Sequence, residues 1–204
     1  MTINLTHQTK FKLMESQSKN GLPGLTEAII KGAVGFAVAS LCVFATVALA
    51  ERWMYTNLGL LTAYLVWTIL FIGLGGTMLG SLVIERWPLP KFYLLFGAAF
   101  LAYAAGWMAA YFTLRGVAGE WLGSLVGSLM MAIVFSAGFK RPNQILKFST
   151  ILFLTNSIGY FLGSALNNSV TGRPGMLLWG MAYGLFLGSG IGAVLQLAQS
   201  RTDE

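Results

Sequence analysis

Residues 176–197 read MLLWGMAYGLFLGSGIGAVLQL, an unbroken apolar run in which Gly180, Gly184, Gly188 and Gly192 recur every four residues. At that spacing the glycines follow a shallow spiral along one side of an α-helix and strip it of side chains, so a second backbone can come close. In water each would cost about 1 kcal/mol relative to alanine. In lipid the backbone must satisfy itself and small residues become the contact surface between helices, so the run reads as a membrane span built to be packed against.

Five further apolar runs precede it: Ala28 to Ala50, Leu58 to Ile84, Phe92 to Leu114, Leu122 to Phe139 and Ile145 to Leu166. Each is near the roughly 20 residues that cross about 30 Å of hydrocarbon. The second is long enough to require tilt or a kink, and Gly73, Gly75, Gly76 and Gly80 place it in the C-terminal half. With 56% hydrophobic and 10% charged residues in 204, little is left for a soluble domain. The expected fold is all-α: a polytopic membrane protein with six transmembrane helices in a compact, Gly-rich bundle over residues 28–197, between polar tails at 1–27 and 198–204. Thr26 is the expected N-cap of the first helix. The connections are short: Glu51-Arg52-Trp53, Glu85 to Pro88, Arg115 to Glu120, Lys140-Arg141-Pro142 and Asn167 to Gly175.

The formal net charge of +6 does not signal nucleic acid, because the basic residues sit between the apolar runs, where anionic head groups and topology selection account for them. Lys10, Lys12, Lys19, Lys31, Arg86, Lys91, Lys140, Arg141, Lys147 and Arg201 fall on one side, against Arg52, Arg115 and Arg173 on the other. The positive-inside rule then makes both termini cytoplasmic, in a plasma (inner) membrane. Cys42 is the sole cysteine, so neither a disulfide framework nor a thiolate metal site is present.

Internal similarity is visible. Gly76-Thr77-Met78-Leu79-Gly80-Ser81 and Gly159-Tyr160-Phe161-Leu162-Gly163-Ser164 share G-x-x-L-G-S, and Ala98, Ala102, Gly106 and Ala110 repeat the spacing of Gly180 to Gly192. Ala33 with Ala37 and Gly123 with Gly127 form shorter pairs in spans one and four. Spans one to three would then correspond to spans four to six as a 3+3 inverted repeat, an arrangement common in transporters. The alternative is that such small-residue pairs record only tight helix packing.

Candidate chemistry is sparse. No Asp, Glu, Arg or His lies inside the six runs, and Lys31 and Lys147 are near run ends. An intramembrane proton relay is therefore disfavoured. His7 is the only histidine and lies in the tail, Ser128 and Ser136 have no base nearby in sequence, and Glu51 and Glu85 each precede an Arg-Trp anchor at a helix end. These features predict no catalytic residues, no metal site, no cofactor and no enzymatic activity.

The polar stripe of span five is the best candidate site. Ser149, Asn156, Ser157, Tyr160, Ser164 and Asn167 share a broad helix face, and the carboxamide of Asn156 falls near mid-membrane, where it needs partners. Thr77 and Ser81 on the small face of span two are the counterparts, with Trp67 or Trp107 as apolar walls. Either these groups line a path for a small solute, or they are interhelical glue worth about 0.6 to 2 kcal/mol each. Gly76, Gly80, Gly159, Gly163, Gly180, Gly184, Gly188 and Gly192 are expected at helix contacts.

In size, span count and cytoplasmic termini the chain resembles the substrate-capture subunits of energy-coupling-factor vitamin transporters. Ala33-x-x-x-Ala37 is similar to the alanine motif with which that family docks its partner. The resemblance implies substrate capture and a membrane partner. Three functions follow as expectations: a channel, facilitator or transporter subunit for a small uncharged or amphipathic solute; a non-catalytic subunit or assembly factor of a larger membrane complex; and such a capture subunit. The expected partners are the lipid bilayer and either a second copy of the chain or other membrane subunits.

Overall fold

The computed structural model describes residues 22–83 and 89–200. Within them lie α1 (Leu25–Leu58), α2 (Leu60–Gly80), α3 (Leu89–Leu114), α4 (Gly116–Gly138), α5 (Ile145–Ser169) and α6 (Arg173–Gln199), with a 3₁₀ turn at Pro142–Gln144. All six helices are long and apolar enough to cross a membrane, the architecture of a multi-pass membrane protein. Each packs antiparallel on its neighbour in sequence, and α6 returns to pack most extensively on α1, closing a ring of six. We call the end where α1, α3 and α5 finish the Gly59 end, and the opposite one the Ser200 end.

The α6 glycines close that ring. A side chain on Gly184 would stand 2.6 Å from the Ala37 Cα, and one on Gly180 would stand 2.6 Å from Phe44. Gly188 and Gly192 face the backbone carbonyls of Gly32 and Ala28. Backbones this close leave room for the Ser40 hydroxyl to donate to the Gly180 carbonyl at 2.7 Å. Gly190 faces the other way, onto Thr155 of α5. Two bare faces on one helix make α6 the most deeply buried span of the bundle.

The other glycine pairs receive rings as well as backbone. Tyr103 and Trp107 of α3 lie over Gly127 and Gly123 of α4, and the Trp179 ring of α6 lies over Gly163 of α5, while Gly159 of α5 meets the backbone of Tyr183 and the Cβ of Phe186. In α2, Gly76 receives the Tyr93 ring and Gly80 makes ordinary contact with Leu89 and Phe92. Ala98 is exposed and Ala102 only half-buried, so the spacing of Ala98 to Ala110 does not form a continuous contact face as the α6 glycines do.

Several expected boundaries move. Glu51-Arg52-Trp53 is helical, since α1 runs on to Leu58, and one residue, Gly59 at φ 79°, joins it to α2. That backbone suits glycine and breaks the helix there. Leu58 therefore belongs to α1, and α2 at 21 residues spans about 31 Å with no excess length to kink. Arg115 alone separates α3 from α4, so Glu120 lies within α4 rather than in a loop. Helix α5 continues to Ser169 and α6 starts at Arg173, shortening the expected Asn167 to Gly175 connection. Thr26 sits in the first turn of α1, with Gly24 at the cap, and Glu27 pairs with Lys31 at 2.7 Å.

At the Ser200 end, the Arg141 guanidinium donates to the Ser200 carbonyl at 2.9 Å, and Gln199 Nε2 donates to the Leu82 carbonyl at 3.1 Å. The exits of α2, α4 and α6 are tied together there. The segment containing Glu85 and Arg86, the tail with His7, Lys10, Lys12 and Lys19, and Arg201 lie outside the described residues.

Candidate functional site

Asn156 lies eleven residues from the start of α5 and thirteen from its end, at mid-height, with no exposed surface. Its Oδ1 accepts from the Tyr103 hydroxyl of α3 at 2.8 Å, and its Nδ2 donates to Ser124 Oγ of α4 at 2.7 Å. Tyr183 of α6 donates to the Tyr103 hydroxyl at 3.2 Å, and Ser124 shares a 2.7 Å hydrogen bond with Ser157. The order of donors is internally consistent: a Tyr103 hydroxyl that accepts from Tyr183 is free to donate to the amide oxygen. Four helices are thus joined across the ring axis by a buried chain of neutral groups, as a polar side chain inside a membrane requires.

One helical turn toward the Gly59 end, a second layer repeats the same four helices. Trp107 is four residues after Tyr103, Glu120 four before Ser124, Tyr160 four after Asn156 and Trp179 four before Tyr183. In antiparallel neighbours those offsets point the same way, so the residues stack directly over the network. Tyr160 stands between the two indoles, 5.9 Å from Trp107 and 5.7 Å from Trp179 between ring centroids. Its hydroxyl lies within electrostatic reach of Glu120. All four residues are half-buried, in contrast to the fully enclosed layer below.

The sequence candidates separate accordingly. Asn156 and Ser157 enter the network, and Tyr160 enters the layer above it. Ser164, one turn further out, is half-buried. Thr77 and Ser81 are exposed on α2: Thr77 bonds the Gly73 carbonyl at 2.8 Å and the Tyr93 hydroxyl at 2.5 Å, and Ser81 bonds the Met78 carbonyl. Trp67 is buried between α1 and α2 with Val43, Met54 and Ala63, edge-on to Tyr55 and Tyr64. The expected pairing of α2 with α5 around one path is therefore not formed. Of the wall candidates, Trp107 borders the axis and Trp67 does not.

Tyr103, Ser124, Tyr183, Glu120 and Trp179 complete the arrangement and were not picked out by sequence reasoning. Tyr103 and Tyr183 carried a usable signal, because a phenol far from the interfacial aromatic belt needs a buried partner. Ser128, Ser136 and Ser149 are also buried, and their hydroxyls make no hydrogen bond among the described residues.

The Gly59 end also holds a pocket of about 410 Å³ between α1 and the α5–α6 turn, bordered by Glu51, Arg52, Asn167, Arg173 and Met176. Among the described residues no three His, Cys, Asp or Glu side chains gather as a metal site. No family model matches the chain, and no curated protein and no solved structure matches it.

Proposed function

We propose that the chain is a self-contained membrane transport protein for a small uncharged or amphipathic solute, which enters the ring from the Gly59 end. The observation that carries this reading is the burial of the α6 glycine face against α1 of the same chain. A stripe kept for a partner subunit would be open to lipid, and this one is spent on closing a ring around polar groups on its own axis. The Tyr103–Asn156–Ser124 chain then acts as a closed gate, opened when those bonds exchange for bonds to the solute. Positive-inside orientation puts the Gly59 end outside and both termini in the cytoplasm of a plasma membrane. The 3+3 repeat fits this reading, since a ring of the third helix of each half, Tyr93 on Gly76 and Trp179 on Gly163, lies on a glycine of the shared motif in the second.

Proteoliposome shrinkage with glycerol as osmolyte tests the reading. Flux above protein-free liposomes, lost in Asn156→Leu with the fold retained, supports it. Wild-type shrinkage equal to that of empty liposomes overturns it for small neutral solutes.

A second reading, a structural subunit of a larger membrane complex, is favoured by the network itself, whose members bond one another and so behave as glue. Co-purification of other chains in fixed stoichiometry from the native membrane would select it over a single chain or a homo-oligomer. The vitamin-transporter resemblance loses its docking surface, because Ala37 is already packed against Gly184.

A further inference from the structure

We propose that Glu120 and the rings of Trp107, Tyr160 and Trp179 bind a small organic cation of the alkylammonium type. The proposal rests on the reading that the Gly59 end admits a solute to the ring axis, and it adds a cationic solute to the uncharged and amphipathic ones of that reading. Three observations converge on it. The four residues come from four different helices and occupy one layer, placed by four-residue steps from the buried network. Tyr160 lies between two indoles at centroid distances of 5.9 and 5.7 Å, and Trp107 is backed by Tyr111, stacked at 4.9 Å. Ring faces attract a cation, most strongly for tryptophan, and aromatic surroundings favour an alkylated ammonium over a strongly hydrated metal ion.

The third observation is the carboxylate. Glu120 lies inside α4, half-buried, and among the described residues no lysine or arginine forms an ion pair with it. The polar group within its electrostatic reach is the neutral Tyr160 hydroxyl. A half-buried acidic group in the same layer as three rings and without a basic partner is the complement of a cationic ligand. The buried network one turn below supplies a neutral floor, so a bound cation would stop there until that layer rearranged.

Calorimetric titration of the full chain in nanodiscs with choline, against its neutral isostere 3,3-dimethylbutan-1-ol, tests the site. Choline should bind saturably at millimolar concentration or below, at least tenfold more tightly than the isostere. Glu120→Gln should weaken choline at least tenfold while leaving the isostere unchanged. Equal affinity for the two probes, or no saturable choline binding, overturns the proposal without any variant being needed. Wild-type choline affinity in a folded Glu120→Gln protein also overturns it. Choline binding without glycerol or choline flux would keep the site and remove transport; glycerol flux without choline binding would do the reverse.

Discussion

The Tyr103 hydroxyl on α3 donates to Asn156 Oδ1 on α5 at 2.8 Å, a bond between helices that are not neighbours in the chain and meet only through the axis of the ring. Tyr103 is the central link, since it both accepts from Tyr183 and donates to Asn156. Tyr103→Phe should therefore destabilise the fold more than Tyr183→Phe, by about 1 to 2 kcal/mol against less than about 1. Thermal unfolding of the two variants in the same nanodisc gives the comparison, and equal losses would show that the bonds do not act as a directed chain.

Asn156→Leu removes two hydrogen bonds at once, leaving the Tyr103 hydroxyl without its acceptor and Ser124 with Ser157 alone. The expected loss is about 1 to 3 kcal/mol. For a domain of this size that is a fall of roughly 3 to 10 °C in the unfolding midpoint. A midpoint unchanged within a degree would mean that the amide is dispensable for packing.

Two glycine substitutions should differ sharply. Gly184→Leu pushes a branched side chain into the Ala37 Cα and the Ser40 side chain, forcing α1 and α6 apart, so folded monodisperse protein should be lost on size-exclusion chromatography. Gly73→Ala on α2 meets no atom within 4 Å, and it should be neutral or raise stability by about 0.4 to 1 kcal/mol.

Arg141→Gln withdraws a cation from the C-terminus of α6, where it bonds the Ser200 carbonyl. The cost should be modest, about 0.3 to 1 kcal/mol, and local. Hydrogen exchange over residues 195–200 should accelerate while the Asn156 region stays protected.

The helix count was readable because lipid leaves a chain few options: apolar runs of the right length have to become helices. The contact role of Gly180 to Gly192 was readable for the same reason, since their spacing has one geometric meaning. Which helix they meet was not, because periodicity describes a face and says nothing of the neighbour across it. Helix ends were misjudged where polarity and backbone disagree: Glu51 and Arg52 are polar yet helical, and the true break at Gly59 is a backbone event. The site was half legible. Asn156 announces itself as an amide in an apolar run, whereas Ser124 and Glu120 matter only through antiparallel registers that bring separate helices to one height. Thr77 and Ser81 were misleading because a hydroxyl can satisfy itself on its own helix, as both do.

The partners Ser40 and Gly180 are separated by 140 residues of chain. At a synthesis rate of roughly 5 to 20 residues per second, α1 is made about 7 to 28 seconds before the helix that covers its small-residue face. During that interval Gly32, Ala37 and Ser40 are available to any other helix in the membrane. Newly made α1 is thus the segment most open to mispairing and to membrane chaperones, and damage to the α6 glycines would be felt first at the opposite end of the chain.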